Sequence, residues 1–180
     1  MKAKENPPRF DNAQLAVDQT ICKLDTCDLE SILKVVNDAA EVYKNKIPTD
    51  CWKEPYMPAE ELKKEVASGV QFYGYKEKGM LNAVMGIQQV GDVTLIRHAY
   101  VASSSQRRGI GEKLLEHLLS LVQTNKVYVG TWEAAIWAVK FYKKNGFELV
   151  SYQEKNKYLH KYWCISERQV ESSVVLELKR

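Results

Sequence analysis

A glycine-rich turn near the middle of the chain has residue types that could bind a phosphate group. It reads Gln106-Arg107-Arg108-Gly109-Ile110-Gly111 and leads directly into an apolar, helix-forming segment. The start of a helix offers unpaired backbone N–H groups and a partial positive charge, and glycine lets the backbone approach a ligand closely. The pattern therefore indicates a phosphate-binding turn between a strand and a helix. The alternative is a turn that only opens the helix.

Two familiar nucleotide-binding turns do not have this spacing. A Walker loop needs Gly-x4-Gly-Lys-Ser/Thr, but Gln106 stands five positions before Gly111, and Lys113-Leu114 does not complete the motif. A Rossmann fingerprint needs a third glycine at Leu114 and would follow the first strand of the chain, whereas this turn follows a later one. We therefore expect neither ATP nor NAD as the ligand.

Periodic patterns predict the elements that position this turn. Spacing of three and four residues predicts helices, and alternation predicts strands. The predicted helices cover residues 29–43 and 58–69, the leucine-rich segment that follows Glu112 as far as Val122, and residues 132–145 and 153–163. The predicted strands cover residues 70–75, 80–90, 93–101, 127–130, 147–152 and 174–178. Leu62 and Val66 are predicted to face the core from the second helix, and Ile136, Val139 and Tyr142 share one face of the fourth.

A second motif follows the turn by about 35 residues. It reads Ala138-Val139-Lys140-Phe141-Tyr142-Lys143-Lys144-Asn145-Gly146-Phe147. Here the chain resembles the GNAT superfamily of acyl-coenzyme A N-acyltransferases, whose signatures are Gln/Arg-x-x-Gly-x-Gly/Ala and a later Ala-x3-Tyr-x3-Gly-Phe. The order of predicted elements is also similar over roughly residues 18–180. The resemblance implies a single-domain α/β (α+β) fold, with a mixed, mostly antiparallel twisted sheet of about six or seven strands and about four or five flanking helices.

The resemblance also implies acetyl-coenzyme A (acetyl-CoA) as the acyl donor. Its diphosphate is expected on the backbone N–H groups of the turn, and its pantetheine arm beside the end of the preceding strand. The cofactor-binding residues that follow are Ala99, Tyr100, Val101, Gln106, Arg107, Arg108, Gly109, Ile110, Gly111 and Phe141. One departure is Ala135, where relatives often have an asparagine that contacts the cofactor.

The implied reaction is direct attack of a primary amine on the thioester in a ternary complex. A lysine-like amine has a pKa near 10.4, so its free base costs roughly 4.6 kcal/mol at pH 7, and a base or water chain must take the proton. The departing thiolate needs a proton donor. Tyr142 matches the family's tyrosine, which is the usual candidate for that acid, and the alternative is a core tyrosine.

The residues leave the identity of the base open. Many relatives have a glutamate on the strand before the turn, but the corresponding candidate positions hold Leu95 and Arg97. His98 is our candidate, although regular alternation places it on the opposite face unless a β-bulge turns it round. The alternatives are a hydrogen-bonded core histidine at this position and a carboxylate base at Glu54 or Glu133.

An aromatic loop lies between the first two predicted helices, where the family commonly shapes its acceptor pocket. The predicted acceptor-binding residues are Trp52, Glu54, Tyr56 and Glu133, for a small-molecule or peptide amine. Plain packing of the loop is the alternative. Cys51 has no evident histidine partner nearby, so we do not expect an acyl-cysteine relay. A non-catalytic acyl-CoA-binding module of the same fold is the competing function.

Composition limits the remaining classes of function. The chain has 180 residues, of which 45% are hydrophobic, which suffices for one core over residues 18–180, with residues 1–17 as a loosely ordered arm. A net charge of +3 favours neither nucleic acid nor an anionic membrane, and no apolar run has the length of a membrane helix or an export signal. Four cysteines without a Cys-x-x-Cys pair predict reduced thiols in a cytoplasmic protein.

The histidines and a late aromatic run give two further expectations. The three histidines lack the spacing of metal ligands, so no metal site is predicted. The aromatic run over residues 158–163 could cover the pocket or form a contact in a homodimer.

Overall fold

A seven-stranded sheet organises the computed structural model, which describes residues 19–180; the predicted arm over residues 1–17 lies outside the described residues. The sheet order is β1-β2-β3-β4-β5-β7-β6, and all neighbours are antiparallel except β4 and β5. The strands are β1 (Gln19–Lys23), β2 (Gln71–Glu77), β3 (Met80–Val90), β4 (Val93–Val101), β5 (Lys126–Trp132), β6 (Glu148–Leu149) and β7 (Ser173–Lys179). The predicted mixed, mostly antiparallel sheet is confirmed.

Six α-helices cover the two faces of this sheet in the described residues. They are α1 (Leu29–Ala40), α2 (Ala59–Ala67), α3 (Ile110–Ser120), α4 (Ile136–Lys144), α5 (Tyr152–Tyr162) and α6 (Glu167–Glu171). One face, which we call the α3/α4 face, is covered by buried leucines of α3 together with Tyr142 and Phe147. The other, which we call the α1/α2 face, also carries α5 and α6. No helix between residues 19 and 180 is long and apolar enough to cross a membrane.

Several predicted boundaries were wrong for local reasons. Ser151 and Glu154 form a reciprocal capping box that starts α5, so β6 ends at Leu149 rather than continuing to residue 152. Trp132 remains paired with Ser173 in the sheet, so α4 cannot begin there and starts four residues later. The short helix α6 was not predicted.

Two predicted core positions also differ. Ile136 lies in the first turn of α4 and is 61% exposed, because the helix begins only at that residue. Val66 is 37% exposed, whereas the side chain of its neighbour Glu65 is only 18% exposed. The face of α2 that turns inward therefore carries a carboxylate beside Leu62, which is fully buried.

The late aromatic run packs inside the chain. The rings of Tyr158 and Tyr162 lie 4.6 and 5.9 Å from that of Tyr128 on β5. These rings are part of the core on the α1/α2 face. The four cysteines are free thiols, as predicted.

A β-bulge in β4 changes which side chains face each side of the sheet. Val84 pairs with Tyr100 but Gly86 pairs with Arg97, so β4 takes three steps where β3 takes two. His98 lies at this point with a φ of 50°, in the left-handed region. As a result His98 lies on the α1/α2 face together with Arg97, and both contact Glu65 of α2. This is the β-bulge that would turn His98 round from the face expected of a regular strand.

The parallel strands β4 and β5 pair over only three residues each. The pairs run from Thr94–Val127 to Ile96–Val129. Beyond them β4 stays with β3 as far as Val101, while β5 stays with β7 as far as Trp132. The two strands therefore separate, and a gap opens between them at the end of β4 that precedes α3.

Gly86 is expected to be essential to the bulge. A Cβ atom there would lie 2.8 Å from Cγ1 of Val70 and 3.1 Å from the carbonyl oxygen of Arg97. We expect Gly86→Ala to lower the free energy of unfolding by about 1–3 kcal/mol, as measured by urea denaturation, because this packing leaves no room for a methyl group. The matched control is Gly130→Ala in β5, where the nearest contacts would be an ordinary 3.5 Å. Equal stability of the two variants would contradict this account.

Candidate active site

The glycine-rich turn forms the start of α3 and exposes its backbone donors. Gly109 is the N-terminal cap, with a φ of 75°, and Arg107 also has a left-handed φ of 60°. Within the described chain, the N–H groups of residues 109–112 donate no hydrogen bond, whereas the N–H of Lys113 already donates to the carbonyl of Gly109. Several N–H groups and the positive end of the helix dipole are thus available at one point, as a phosphate group requires.

Side chains hold this turn against its neighbours. Nε2 of Gln106 donates to the carbonyl oxygen of Val101 at 3.1 Å, which fixes the turn to the end of β4. One guanidinium nitrogen of Arg108 lies 2.8 and 3.0 Å from the two carboxylate oxygens of Glu77. Arg108 is therefore ion-paired, while Arg107 has no hydrogen bond or ion pair to any residue from 19 to 180.

The predicted cofactor residues of β4 and α4 border the gap. A Cβ atom on Gly111 would lie 3.5 Å from Cγ2 of Val101 and 3.7 Å from the ring of Phe141, so α3, β4 and α4 meet here. Ala99 and Val101 pack toward the α3/α4 face, and Tyr100 packs toward the α1/α2 face. Along residues 97–101, β4 has no strand partner on its β5 side among the described residues. The gap thus offers free main-chain groups next to the donors of α3, an arrangement that fits an extended chain ending in phosphates.

Tyr142 is buried below this gap. Only 4% of the residue is exposed, and its ring lies edge-on to Phe141 and Phe147, with centroids 5.1 and 5.5 Å away. Burial raises the pKa of the Tyr142 phenol above its usual value, and neighbouring Tyr43 adds to the effect. The hydroxyl is therefore protonated at neutral pH and has a proton to donate.

His98 is part of a charged cluster beside the bulge. Its Nε2 lies 3.3 Å from Oε2 of Glu65 on α2. Nη2 of Arg97 donates to Oε1 of Glu65 at 3.1 Å, and Nη1 donates to Oε1 of Gln88 at 2.9 Å. Burial opposes ionisation of Glu65, but His98 and Arg97 more than compensate, so the pKa of this carboxyl lies below its usual value. We call these four residues the bulge cluster.

The predicted acceptor loop contributes to a second group of residues on the same face. The members, which we call the aromatic cluster, are Tyr43, Trp52, Tyr56, Tyr100 and Trp132. Neighbouring rings lie 5.6 to 6.5 Å apart. Nε1 of Trp132 donates to the hydroxyl of Tyr56 at 2.9 Å, whereas the buried Nε1 of Trp52 has no partner among the described residues. Trp52 and Tyr56 thus join Tyr100 at the border of the gap.

The two predicted acidic acceptor residues do not join these clusters. Glu54 is 69% exposed at its side chain and ion-paired with Lys44 at 3.3 Å. Glu133 is exposed just beyond β5, and its backbone N–H donates to the carbonyl of Ser172 at 2.9 Å. Neither carboxylate therefore belongs to the bulge cluster or to the aromatic cluster. Of the candidate bases, only His98 lies at the bulge.

Sequence reasoning missed Glu65, Tyr43 and Trp132. A sequence signal existed for Glu65, since it follows buried Leu62 by three residues and so shares its side of the helix. Trp132 was predicted to begin a helix. It instead extends β5, because it pairs with Ser173 of β7, and a local sequence pattern does not show that pairing. Asn37 was also missed: its side-chain amide makes two hydrogen bonds, of 2.8 and 3.1 Å, to the backbone of Met57 and so fixes the aromatic loop to α1.

Solved structures of known proteins share the fold of this chain. The PaiA N-acetyltransferase from Thermoplasma acidophilum in complex with coenzyme A has a TM-score of 0.68 and 18% identity, covering 90% of this chain and 99% of that one. The ribosomal-protein-S18-alanine N-acetyltransferase from Escherichia coli has a TM-score of 0.64 and 18% identity, covering 89% and 93%. A GNAT family acetyltransferase from Elizabethkingia anophelis with acetyl-CoA bound has a TM-score of 0.59 and 19% identity, covering 91% and 99%. Identities this low establish a shared fold.

The fold and a matching family model identify an acyltransferase. The family model of the GNAT acetyltransferase domain matches residues 28–160. The chain therefore belongs to the GNAT acetyltransferase family, as its two sequence motifs predicted. Structures of this fold contain coenzyme A or acetyl-CoA, which is consistent with use of acetyl-CoA here. No curated protein has significant sequence similarity to the chain.

The lowered pKa of Glu65 predicts how stability depends on pH. A carboxyl whose pKa is lower in the folded state stabilises the fold above its unfolded-state pKa, about 4.3, and this contribution is lost as pH falls through the folded-state value. We expect Glu65→Gln to be less stable than the wild type from pH 7 to about 5, and the difference to shrink below about pH 4.3. Urea denaturation across this range measures it.

Glu60→Gln on the same helix is the control for this measurement. Glu60 is ion-paired too, with Lys63 at 2.8 Å, but its side chain is 76% exposed. Its substitution is therefore expected to change the free energy of unfolding little at any pH. A stability difference for Glu65→Gln that stayed constant down to pH 3 would show that its carboxylate does not stabilise the fold.

Proposed function

We propose that the protein is an acetyl-CoA-dependent N-acetyltransferase that transfers an acetyl group to a primary amine by direct attack in a ternary complex. The observation that carries the proposal is the gap between β4 and β5, which brings free main-chain groups next to the unpaired N–H groups of α3. Acetyl-CoA supplies a thioester whose carbonyl carbon is open to attack by an amine. The residues of this chain bind, orient and move protons around it.

The donor site would use both the turn and the gap. Backbone N–H groups from Gly109 onward and the charge of Arg107 would hold the diphosphate. Backbone at Ala99, Tyr100 and Val101 would pair with the pantetheine arm, and Phe141 would pack against it. Gln106 and Arg108 contribute indirectly, because both side chains hold the turn in place.

Two residues would move the protons. His98 reaches the α1/α2 face through the bulge and would take the proton that the attacking amine loses. Tyr142, which burial keeps neutral, would give its phenolic proton to the departing sulfur and recover one from solvent. The protons balance, because one proton passes from the amine to His98 and on to solvent, and one passes from Tyr142 to the sulfur and is replaced from solvent.

The acceptor would approach from the α1/α2 face. Trp52 and Tyr56, whose ring centroids lie 5.6 Å apart, would border the acceptor there. Glu54 and Glu133 would lie at the exposed edge. We infer a small-molecule or peptide amine with an apolar part, because the aromatic cluster itself contains no charged side chain. The free thiols of the four cysteines support a cytoplasmic location.

Binding of acetyl-CoA tests the donor site directly. Calorimetric titration is expected to give micromolar affinity for acetyl-CoA and no binding of ATP or NAD. Arg107→Ala should weaken the affinity for acetyl-CoA about tenfold, because a hydrogen-bonded charge is lost. Lys157→Ala, an exposed residue of α5, serves as the control. Failure of the wild-type protein to bind acetyl-CoA would remove the enzyme proposal.

The role of Tyr142 is tested by deleting its hydroxyl. We expect Tyr142→Phe to lower kcat by about 10²-fold while the affinity for acetyl-CoA is unchanged, because only proton donation to the sulfur is lost. Tyr75→Phe is the matched control, since Tyr75 is a buried tyrosine of the same core cluster. Steady-state kinetics with an accepted amine measure the effect. An unchanged kcat would exclude Tyr142 as the acid, and binding without coenzyme A release for any amine would favour the non-catalytic acyl-CoA-binding module.

A further inference from the structure

We propose that Glu65 is a positioning residue, which holds the imidazole of His98 in the tautomer and orientation that a general base needs. The proposal rests on the proposed function, because His98 matters as a base only if an amine is acylated here. Glu65 belongs to α2 and comes to β4 only through the tertiary fold. Neither sequence motif contains it.

The two ring nitrogens of His98 have different surroundings. Nε2 of His98 is fully buried and lies 3.3 Å from Oε2 of Glu65, which is also buried. The two atoms are in contact without the geometry of a hydrogen bond, and neither has a hydrogen-bond partner in residues 19–180. Nδ1 has no protein partner in the described chain, yet it is not among the atoms sealed from solvent. The ring therefore points one nitrogen at a carboxylate and leaves the other accessible.

This arrangement selects one tautomer of the neutral ring. A buried nitrogen that faces a carboxylate is stabilised as N–H, because a lone pair there would face negative charge. The proton of neutral His98 is therefore expected on Nε2, which leaves the lone pair on Nδ1. Nδ1 can then take the proton of the amine and form an imidazolium, while Nε2–H stays beside the carboxylate of Glu65. The carboxylate remains ionised throughout, and the proton leaves to solvent from Nδ1.

The surrounding groups keep Glu65 in place. Both oxygens of its carboxylate contact Arg97, at 3.0 and 3.1 Å, and Gln88 holds Arg97 from β3 while donating to the carbonyl of Ser68 at 2.8 Å. On the β2 side His98 faces the ring of Phe72, with centroids 5.7 Å apart. The charged groups that face His98 are thus Glu65 from α2 and Arg97 from its own strand, with the thiol of Cys164 farther out beside Arg97.

The test combines kinetics with spectroscopy on the full-length protein. In Glu65→Gln, kcat with an accepted amine should fall between about tenfold and a hundredfold while KM for acetyl-CoA is unchanged, since the base is less well oriented. Glu60→Gln should change neither, and unchanged acetyl-CoA affinity would verify that Glu65→Gln is folded.

Nitrogen NMR of the wild-type protein tests the geometry without turnover. The neutral His98 ring should be protonated at Nε2, with its signals assigned by their loss in His98→Asn. A ring protonated at Nδ1, or an unchanged kcat in Glu65→Gln, would overturn the proposal for Glu65 while leaving the acetyltransferase intact. Absence of acetyl-CoA binding or of transfer to any amine would instead count against the proposed function, and the NMR result would still decide how Glu65 orients the ring.

Discussion

One extra residue in β4 determines which side chains meet at the gap. In a regular strand His98 would point to the same face as Ile96, into the cluster formed by α3. The bulge instead places His98 on the α1/α2 face beside Arg97 and then restores alternation, so that Ala99 and Val101 pack toward α3 and Tyr100 toward α1. Residues that face the two sides of the sheet thereby follow one another directly along the strand.

The bulge also imposes an electrostatic requirement. Arg97 has a side chain only 12% exposed, and a charge this deep is tolerated only when it is paired and hydrogen-bonded. Glu65 and Gln88 satisfy it, and Gln88 in turn donates to the end of α2 at Ser68. The bulge, α2 and β3 are consequently joined through side chains. A change at Glu65 therefore affects both the local fold and His98, which is why the control variants must separate stability from proton transfer.

The sequence predicted those parts of the molecule that depend on local patterns. The apolar faces of α1 and α3 follow from spacing within one element, and both were confirmed. Val66 and Ile136 were wrong, because helix ends and inward faces depend on what a neighbouring element covers. The bulge at His98 was only a possibility from the sequence. It is defined by the register between β3 and β4, to which residues on both strands contribute.

The same distinction explains why the proposed acid was easier to find from the sequence than the groups around the proposed base. Tyr142 lies within a local motif on a single helix, and its burial follows from the apolar residues beside it. His98 obtains its surroundings from four elements: its own strand, α2 through Glu65, β2 through Phe72 and β3 through Gln88. An acid that must stay protonated needs only an apolar environment, whereas a base must become charged and so needs a partner for that charge. The partner must leave one ring nitrogen open to the amine, so it has to contact the other nitrogen. Glu65 on α2 lies beside Nε2 of His98 and so meets this condition.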